Sequence, residues 1–398
     1  MKKLNKHSFI KLLAGQTIAN IGDTLYTIAI ISLVFAITHS VFAAAIVPVI
    51  ITGSMVLSGL LTPLIIVRVS LTQLLKSLQL CKTVFLFGLA IYLQLSSSVQ
   101  LLVLFGFISC IAFLDGCADP VATALLPHYV AKENLMRANS IFSTLLQIVS
   151  IGSWAGGSSL LILFSVSNLV WLDMGIFLIA TSLFWWLPQV ENKIESKESE
   201  WKNFSVGWQE IRQQPLLRTV VSMDILEGVA NTAWVSAVIL SFVKDVLHVT
   251  ENWWGYINAT FFAGALLGSL VVMRLTGRTT KKATLIWLGS LGGALVTFLV
   301  APGWHPVFVL FCSVLVGVFS QIKNIPQSTV LQQHIPNEKL VAVYAAMNVL
   351  YTGTFAVASL IAGSISDLFG AQTIFLLSGI LLLLVAVMAR KKYQLFDE

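Results

Sequence analysis

The chain has 398 residues, of which 57% are hydrophobic and only 11% are charged, and its mean hydropathy is +0.87. A soluble protein carries roughly 25% charged residues, so lipid must be the solvent for most of this surface. The formal net charge of +6 fits the charge bias of a membrane protein better than a nucleic-acid site, and no nucleic-acid partner is expected. Membrane lipid is the partner that this composition predicts.

Twelve segments are long and apolar enough to cross a bilayer, which takes about 20 predominantly apolar residues. They are 10–37, 42–67, 73–95, 100–126, 135–163, 168–188, 214–243, 252–274, 283–301, 306–333, 338–365 and 370–390. We therefore predict an all-α membrane protein with twelve transmembrane helices. An even number of spans places both termini on the same side.

Lysine and arginine predict which side that is, because they concentrate in cytoplasmic loops. With twelve spans, every basic residue except Lys244 and Lys323 falls at a terminus or in or beside an even-numbered connection. Lys82 is assigned to the flank of the second connection, and only Lys323 is placed inside a span. This distribution predicts a cell (plasma) membrane protein with both termini cytoplasmic.

A polar stretch, 189–213, lies midway along the chain. It predicts an N-terminal six-helix bundle over 1–188 and a C-terminal one over 214–398. Aromatic and apolar residues recur within it at helical spacing and favour an amphipathic helix on the inner leaflet; a solvated linker with scattered aromatics is the alternative. The residues are Trp201, Phe204, Trp208 and Ile211.

The two halves resemble one another sparsely. Residues 119–125 align with 325–331, where Pro, Thr and Leu coincide. Six spans separate the two segments, so both halves have the same orientation. We therefore predict two six-helix pseudo-repeats, a plan in which a binding site lies near the bilayer midplane between the halves.

Ionisable residues inside a bilayer are costly, and they mark cavities, ion pairs or functional sites. The predicted mid-span ones are Asp23, Asp115, Asp119, Asp224, Glu227 and Lys323. They fall on the first, fourth, seventh and tenth spans, which we expect to line one polar cavity. Asp173, near the outer end of the sixth span, is interpreted as interfacial.

A purely structural role for these charges is the alternative, with Lys323 neutralising one carboxylate and locking two helices together. Five acids against one base cannot all be paired, so some are expected to be protonated or hydrated. Polar residues on the same helices, Asn20 and Asn231, together with Gln147 on the fifth span, are candidate hydrogen-bonding groups for a substrate. Trp234 offers aromatic surface for a cationic substrate, or simply packs.

Other chemistry has no visible motif. The sequence has no Walker A pattern, no nucleophile–base pair and no metal-ligand cluster, so we expect no enzyme activity, no cofactor and no metal. The four cysteines lie in apolar stretches and are interpreted as small hydrophobic residues. On the eighth span, Gly264, Ala265 and Gly268 favour close helix packing.

Three segments resemble the major facilitator superfamily, and within it the macrolide-efflux-like branch of twelve-helix exporters. They are Gly15-Gln16, the stretch from Asp119-Pro120 to Leu135, and Gly152-Ser153-Trp154-Ala155-Gly156-Gly157. The last is similar to the family's antiporter motif, in which glycines let helices pack closely and hinge. The family's signature between spans two and three is largely missing, because only Arg68 matches it within 64–73.

The resemblance implies secondary active transport by alternating access, with proton-coupled efflux of a small amphipathic, drug-like compound. The five carboxylates then handle protons and cations, and Lys323 neutralises an acid or binds an anionic group. Export of an endogenous metabolite such as a siderophore or peptide is a second hypothesis, and a non-transporting membrane scaffold or sensor is a third. A monomer is expected.

Overall fold

The structure is a computed structural model, and it is described for part of the chain. The described residues are 6–39, 41–66, 69–96, 98–190, 200–235, 237–250, 252–276 and 281–397. Within these ranges the secondary structure is helical and connected by short turns.

The helices follow the hydrophobic runs of the sequence. Their bounds are α1 Lys6–Thr38, α2 Val41–Ile66, α3 Leu71–Leu95, α4 Leu101–Tyr129, α5 Leu135–Leu163, α6 Val166–Trp185, α7 Glu200–Gln213, α8 Pro215–Ala230, α9 Thr232–Val235, α10 Ala237–Ser241, α11 Asn252–Leu275, α12 Lys282–Val300, α13 Pro306–His334, α14 Asn337–Phe369 and α15 Ala371–Lys391. The predicted spans match these bounds to within about one helical turn.

Length and hydropathy confirm the membrane class. Among the described residues, 11 helical segments are long and apolar enough to cross a bilayer. The remaining predicted span is α5, a helix of 29 residues, which exceeds the length that a crossing needs. The all-α, multi-pass membrane architecture is therefore confirmed.

The seventh span, predicted as one helix over 214–243, is one helical run over Pro215–Val246 with local irregularities. α8 ends at Ala230, but Asn231 keeps right-handed helical angles and its N–H donates to the Glu227 carbonyl as in a regular helical turn. The span then continues through α9 and α10 and closes in a π-helical turn, Phe242–Val246.

The chain forms two compact units. Unit 1 contains Met1–Lys132, Gly152–Trp208 and Ile335–Val349, and unit 2 contains Glu133–Ile151, Gln209–His334 and Leu350–Glu398. The beginning of α5 thus groups with unit 2, and the beginning of α14 with unit 1. The linear division at 189–213 stays a prediction.

The core of unit 1 is built where α1 packs against α6 and where α3 and α4 pack together. Ile30, Leu89, Ile108 and Phe177 are fully buried there. Gly116 of α4 lies against the α2 backbone, because a Cβ at that position would come within 2.8 Å of the Met55 Cα. Close backbone approach of this kind is typical of helices packed in a bilayer.

Unit 2 is organised around α13, which packs against α11 and α12, and around α15, which packs against α8 and α12. A Cβ at Gly264 would lie 2.7 Å from the Val314 carbonyl carbon, and one at Gly268 would lie 2.5 Å from the Val318 oxygen. Ala265 is fully buried beside them. The predicted close packing of this helix is confirmed.

Helix α7 confirms that the polar stretch contains a helix, which begins at Glu200. A Cβ at Gly207 would come within 2.7 Å of the Ala342 carbonyl carbon, so α7 touches the start of α14 within unit 1. Trp208 is half-buried and Ile211 is buried, whereas the side chains of Trp201 and Phe204 lie outside the described part. Placement of α7 on the inner leaflet stays a prediction.

Candidate functional site: two buried lysine–carboxylate clusters

Unit 1 contains a buried ion cluster, formed by Lys82 of α3, Asp23 of α1 and Asp115 of α4 and called the Lys82 cluster here. The Lys82 Nζ lies 2.8 Å from Asp23 Oδ1 and 2.5 Å from Asp115 Oδ1. It also lies 5.0 Å from the centre of the Phe177 ring, a cation–π distance. One ammonium group therefore joins three helices through two carboxylates and an aromatic face.

The assignment of Lys82 to the cytoplasmic flank of the second connection was wrong. Lys82 lies inside α3, about 16 Å along the helix from Leu71 at 1.5 Å per residue, and its side chain is only 1% exposed. Two mid-span bases are thus present, and the ionisable residues occupy more than four spans. The sequence distance between a lysine and the nearest loop does not show whether the lysine flanks the membrane or is buried within a helix a few turns from that loop.

Asp119 lies one turn beyond Asp115 on α4 and has a different partner. The Gln16 Nε2 donates a hydrogen bond to Asp119 Oδ1 over 3.2 Å. An amide can bond to either a carboxylate or a protonated acid, so this contact holds the side chain without fixing its charge. The sequence pattern that placed Asp115 and Asp119 on one face did not indicate that their partners differ.

Asp173 of α6 was interpreted as interfacial, and that interpretation was wrong. Its side chain is buried, at 1% exposure, and neither carboxyl oxygen has a hydrogen-bond partner among the described residues. It faces α1, because a Cβ at Gly22 would lie 2.7 Å from Asp173 Oδ1. Linear distance from a helix end did not predict that α1 covers this position.

Unit 2 contains a second ion cluster, formed by Lys323 of α13 with Asp224 and Glu227 of α8 and called the Lys323 cluster here. The Lys323 Nζ donates to Glu227 and lies 3.4 Å from Asp224 Oδ1. The Gln327 Nε2 donates to the same Asp224 oxygen over 2.8 Å. The structure thus brings together three predicted residues, and Lys323 does pair with acids, as the structural alternative proposed.

Both clusters have the same pattern of exposure. The lysine side chains are 1% and 2% exposed, whereas the four carboxylates are between 15% and 22% exposed. Each cluster has two acids for one base and presents the acids, not the base, at its accessible edge. Such an edge attracts protons or cations, and the buried ammonium limits the repulsion between the acids.

The remaining predicted contact residues have varied surroundings. Asn20 donates to the Gln16 carbonyl of its own helix over 2.7 Å, and Asn231 donates to the Tyr351 hydroxyl over 3.3 Å. Gln147 is half-buried on α5. Trp234 is 6% exposed and packs edge-on against Phe375, which favours a packing role for it.

The predicted gating residues are only partly described. Arg68 lies outside the described residues, as do the surroundings of Gly156 and Gly157. At Gly152 a Cβ would meet no described residue within 4 Å, so packing against the described part of the chain does not require glycine there. Their gating role stays a prediction.

Hydrogen bonds that the sequence analysis did not anticipate hold the first half of α5 within unit 2. Asn139 donates to Thr329 Oγ1 and Gln332 Oε1 over 3.0 and 2.8 Å, and Ser143 donates to Gln321 Oε1 over 2.6 Å. The spacing of Asn139 and Ser143, one turn apart on the same face of α5, is the signal that could have indicated such a contact.

Unit 2 also has a cavity of about 580 Å³ with mainly apolar walls. Its lining comes from the seventh span and from α14 and α15, and it includes Val229, Thr232, Gly353, Thr354, Ser378, Val357 and Ile361. Val357 and Ile361 are more than half exposed, so the cavity opens to the surface of the unit. The hydroxyl groups of Thr232, Thr354 and Ser378 are the polar groups of this lining. A cavity of this size suits a small organic molecule.

The two clusters are each internal to one unit, and the predicted shared cavity of the first, fourth, seventh and tenth spans stays a prediction. Within unit 1 the structure adds α3 and α6 to the helices that carry buried ionisable residues, through Lys82 and Asp173.

Comparison with known proteins places the chain in a family. YfmI of Bacillus subtilis (strain 168), an uncharacterized MFS-type transporter, is 28% identical over 393 residues, covering 97% of this chain and 96% of YfmI. The human organic anion transporter MFSD10 has a similar fold, with a TM-score of 0.78 at 12% identity, covering 96% of this chain and 99% of that one. A crystal structure of the E. coli fucose:proton symporter FucP matches with a TM-score of 0.78 at 13% identity, covering 96% of this chain and 98% of that one. The family model of the Major Facilitator Superfamily matches residues 12–352 and 228–394, and the chain belongs to that superfamily.

Proposed function

We propose that the chain is a secondary active transporter that exports a small amphipathic compound in exchange for protons, by alternating access. The supporting observation is the pair of buried lysines, each held by two carboxylates whose edges remain accessible. A cell (plasma) membrane location with cytoplasmic termini, a monomeric state and membership of the macrolide-efflux-like branch belong to the same proposal.

Charge balance gives the clusters a way to couple protons to movement. Protonation of Asp23 or Asp115 removes one partner of Lys82, and a buried ammonium without partners is costly. The protein then favours another arrangement that supplies a new partner or hydrates the lysine, which is the differential stability that a conformational shift needs. The same reasoning applies to Lys323 with Asp224 and Glu227, and Asp119 adds a further acid in unit 1.

The apolar cavity of unit 2 supports an amphipathic substrate. Its walls are mainly apolar, while Thr232, Thr354 and Ser378 supply hydroxyl groups. A molecule with an apolar body and a polar or cationic end matches this combination, since a few placed polar groups orient ligands in mainly apolar pockets. Lys323 and its carboxylates belong to the same unit.

The relatives are consistent with this proposal. YfmI is described as an MFS-type transporter, and the fold is shared with a fucose:proton symporter and an organic anion transporter. The symporter supports proton coupling on this fold, and the anion transporter supports transport of organic ions.

Transport into proteoliposomes with an imposed pH gradient tests the proposal. The purified chain is reconstituted, and movement of a panel of labelled cationic, zwitterionic and anionic amphiphiles is followed with and without the gradient. We expect gradient-dependent movement of at least one compound, lost in Asp23→Asn and Asp115→Asn and retained in Asp245→Asn, whose carboxylate is exposed and bonds to Ser241. Movement that is independent of the gradient contradicts proton coupling.

Two alternatives have their own outcomes in this assay. Export of an endogenous metabolite such as a siderophore or peptide gives gradient-dependent movement of that compound and none of the drug-like panel. A scaffold or sensor moves nothing. The ion clusters favour transport over a scaffold, because accessible carboxylates in mid-span are costly to keep without use.

A further inference from the structure

Asp173 is a buried acid that the proposed mechanism does not use. It lies inside α6 and is 1% exposed, and neither of its oxygens has a hydrogen-bond partner among the described residues. An ionised carboxylate in such a position has lost its hydration without gaining compensation. A protonated acid carries no charge to desolvate, so the geometry favours the neutral form.

The groups that face Asp173 come from the two helices packed against α6. On α1, the missing side chain of Gly22 leaves room for Asp173 Oδ1. Asp23 follows Gly22 in the chain, and Tyr26 lies one helical turn after Gly22. From α3, Lys82 reaches α6 at Phe177, one turn from Asp173. Across Lys82 lies Asp115 of α4.

The only cation among these facing groups in the described structure is already engaged. Lys82 binds Asp23 and Asp115, so it does not neutralise Asp173. The Tyr26 hydroxyl, 3% exposed, also lacks a hydrogen-bond partner among the described residues. Two unpartnered polar groups thus lie beside a cluster in which one ammonium serves two carboxylates.

We propose that Asp173 is a further proton-binding site, which holds a proton while Lys82 binds Asp23 and Asp115. When an incoming proton forms an O–H bond on Asp23 or Asp115, Lys82 loses a partner and turns along α6 from Phe177 towards Asp173. The O–H bond of Asp173 then breaks, its proton passes to a solvent water molecule to form hydronium, and the new carboxylate pairs with the ammonium. One proton is gained and one is released, so the charge of the group is unchanged. This relay rests on the proposed proton coupling and adds a further proton-binding residue to it. The protonation of Asp173 itself does not depend on the proposed coupling.

Infrared difference spectroscopy of the full chain in lipid nanodiscs tests the protonation directly. Protonated carboxyl groups have a C=O stretch that is separate from the carboxylate bands and shifts in D₂O. We expect Asp173→Asn to lose one such carboxylic acid band at neutral pH, because the variant removes a neutral acid. The matched control Asp245→Asn, at an exposed aspartate, should lose only carboxylate absorbance.

Each outcome of this experiment shows whether Asp173 carries a proton. Unchanged carboxylic acid absorbance in Asp173→Asn means that Asp173 is ionised and overturns the proposal. Misfolding of Asp173→Asn also overturns it, since asparagine is a neutral isostere of the protonated acid. The relay is tested separately by proton release after an acid pulse in the proteoliposomes, which Asp173→Asn should reduce. A wild-type protein that shows the band but no gradient-driven transport refutes the proposed function and leaves the proton site standing.

Discussion

The Nζ atom of Lys82 lies 2.8 Å from Oδ1 of Asp23, although 59 residues separate them in the chain. Asp115 completes the contact from a third helix. The pairing explains how three mid-span charges are tolerated in unit 1, because each charge is taken out of water together with an opposite one. It also means that protonation, substitution or movement of any one member changes the balance of the others.

Removal of the buried base tests this dependence. Lys82→Met leaves Asp23 and Asp115 without a counterion, and breaking a buried ion pair in this way costs about 3–5 kcal/mol. We expect a lower thermal unfolding temperature in detergent and loss of gradient-driven transport. Lys76→Met is the control, since Lys76 lies on the same helix and bonds to the Leu187 carbonyl instead.

A compensating change distinguishes pairing from simple loss of packing. The double variant Lys82→Met/Asp115→Asn removes one acid with the base, so it should recover part of the stability lost in Lys82→Met. Transport should stay impaired in the double variant. Equal unfolding temperatures of the single and double variants would contradict the ion-pair interpretation.

The Lys323 cluster predicts a parallel result in unit 2. Lys323→Met should destabilise the protein by about 3–5 kcal/mol, and Lys323→Met/Glu227→Gln should recover part of this loss in a denaturant titration. Lys339→Met, at a position near the start of α14 and outside the cluster, is the control. A Lys323→Met protein as stable as the wild type would show that the cluster contributes nothing to folding.

Packing of α11 against α13 predicts a contrast between two glycines on α11. Gly264→Leu forces its side chain into the backbone at Val314, and we expect little folded protein in size-exclusion chromatography. Gly255→Leu meets nothing within 4 Å at the Cβ and should behave like the wild type. Normal yield of Gly264→Leu would mean that the helices separate readily.

The cavity of unit 2 predicts a size-dependent effect on transport. Gly353 lines it, and a Cβ there would meet no atom of the described residues within 4 Å, so we expect Gly353→Leu to fill space without a clash. We expect a raised apparent KM for the bulkier transported amphiphiles and an unchanged unfolding temperature. Gly363→Leu, on the same helix and equally free of neighbours at the Cβ, is the control; equal effects of both variants would argue against a substrate-binding cavity.

Much of this architecture was predictable from the sequence because a bilayer imposes a local rule. Each crossing requires its own apolar run with internally satisfied backbone groups, so the runs from 10–37 to 370–390 marked the helices correctly. The acids at Asp23, Asp115, Asp119, Asp224 and Glu227 were equally visible, since charge is conspicuous in an apolar run. Lys323 was placed correctly for the same reason.

Only the tertiary structure decided which charges meet. The partner of Asp23 is on α3, that of Asp119 is Gln16 on α1, and Asp173 is covered by α1 at Gly22. Local spacing gives the face and depth of a side chain on its own helix, but its partner depends on which helices pack together and at what rotation. Those quantities arise from packing over the whole unit, which is why a lysine assigned to the flank of a loop proved to be the centre of an ion cluster.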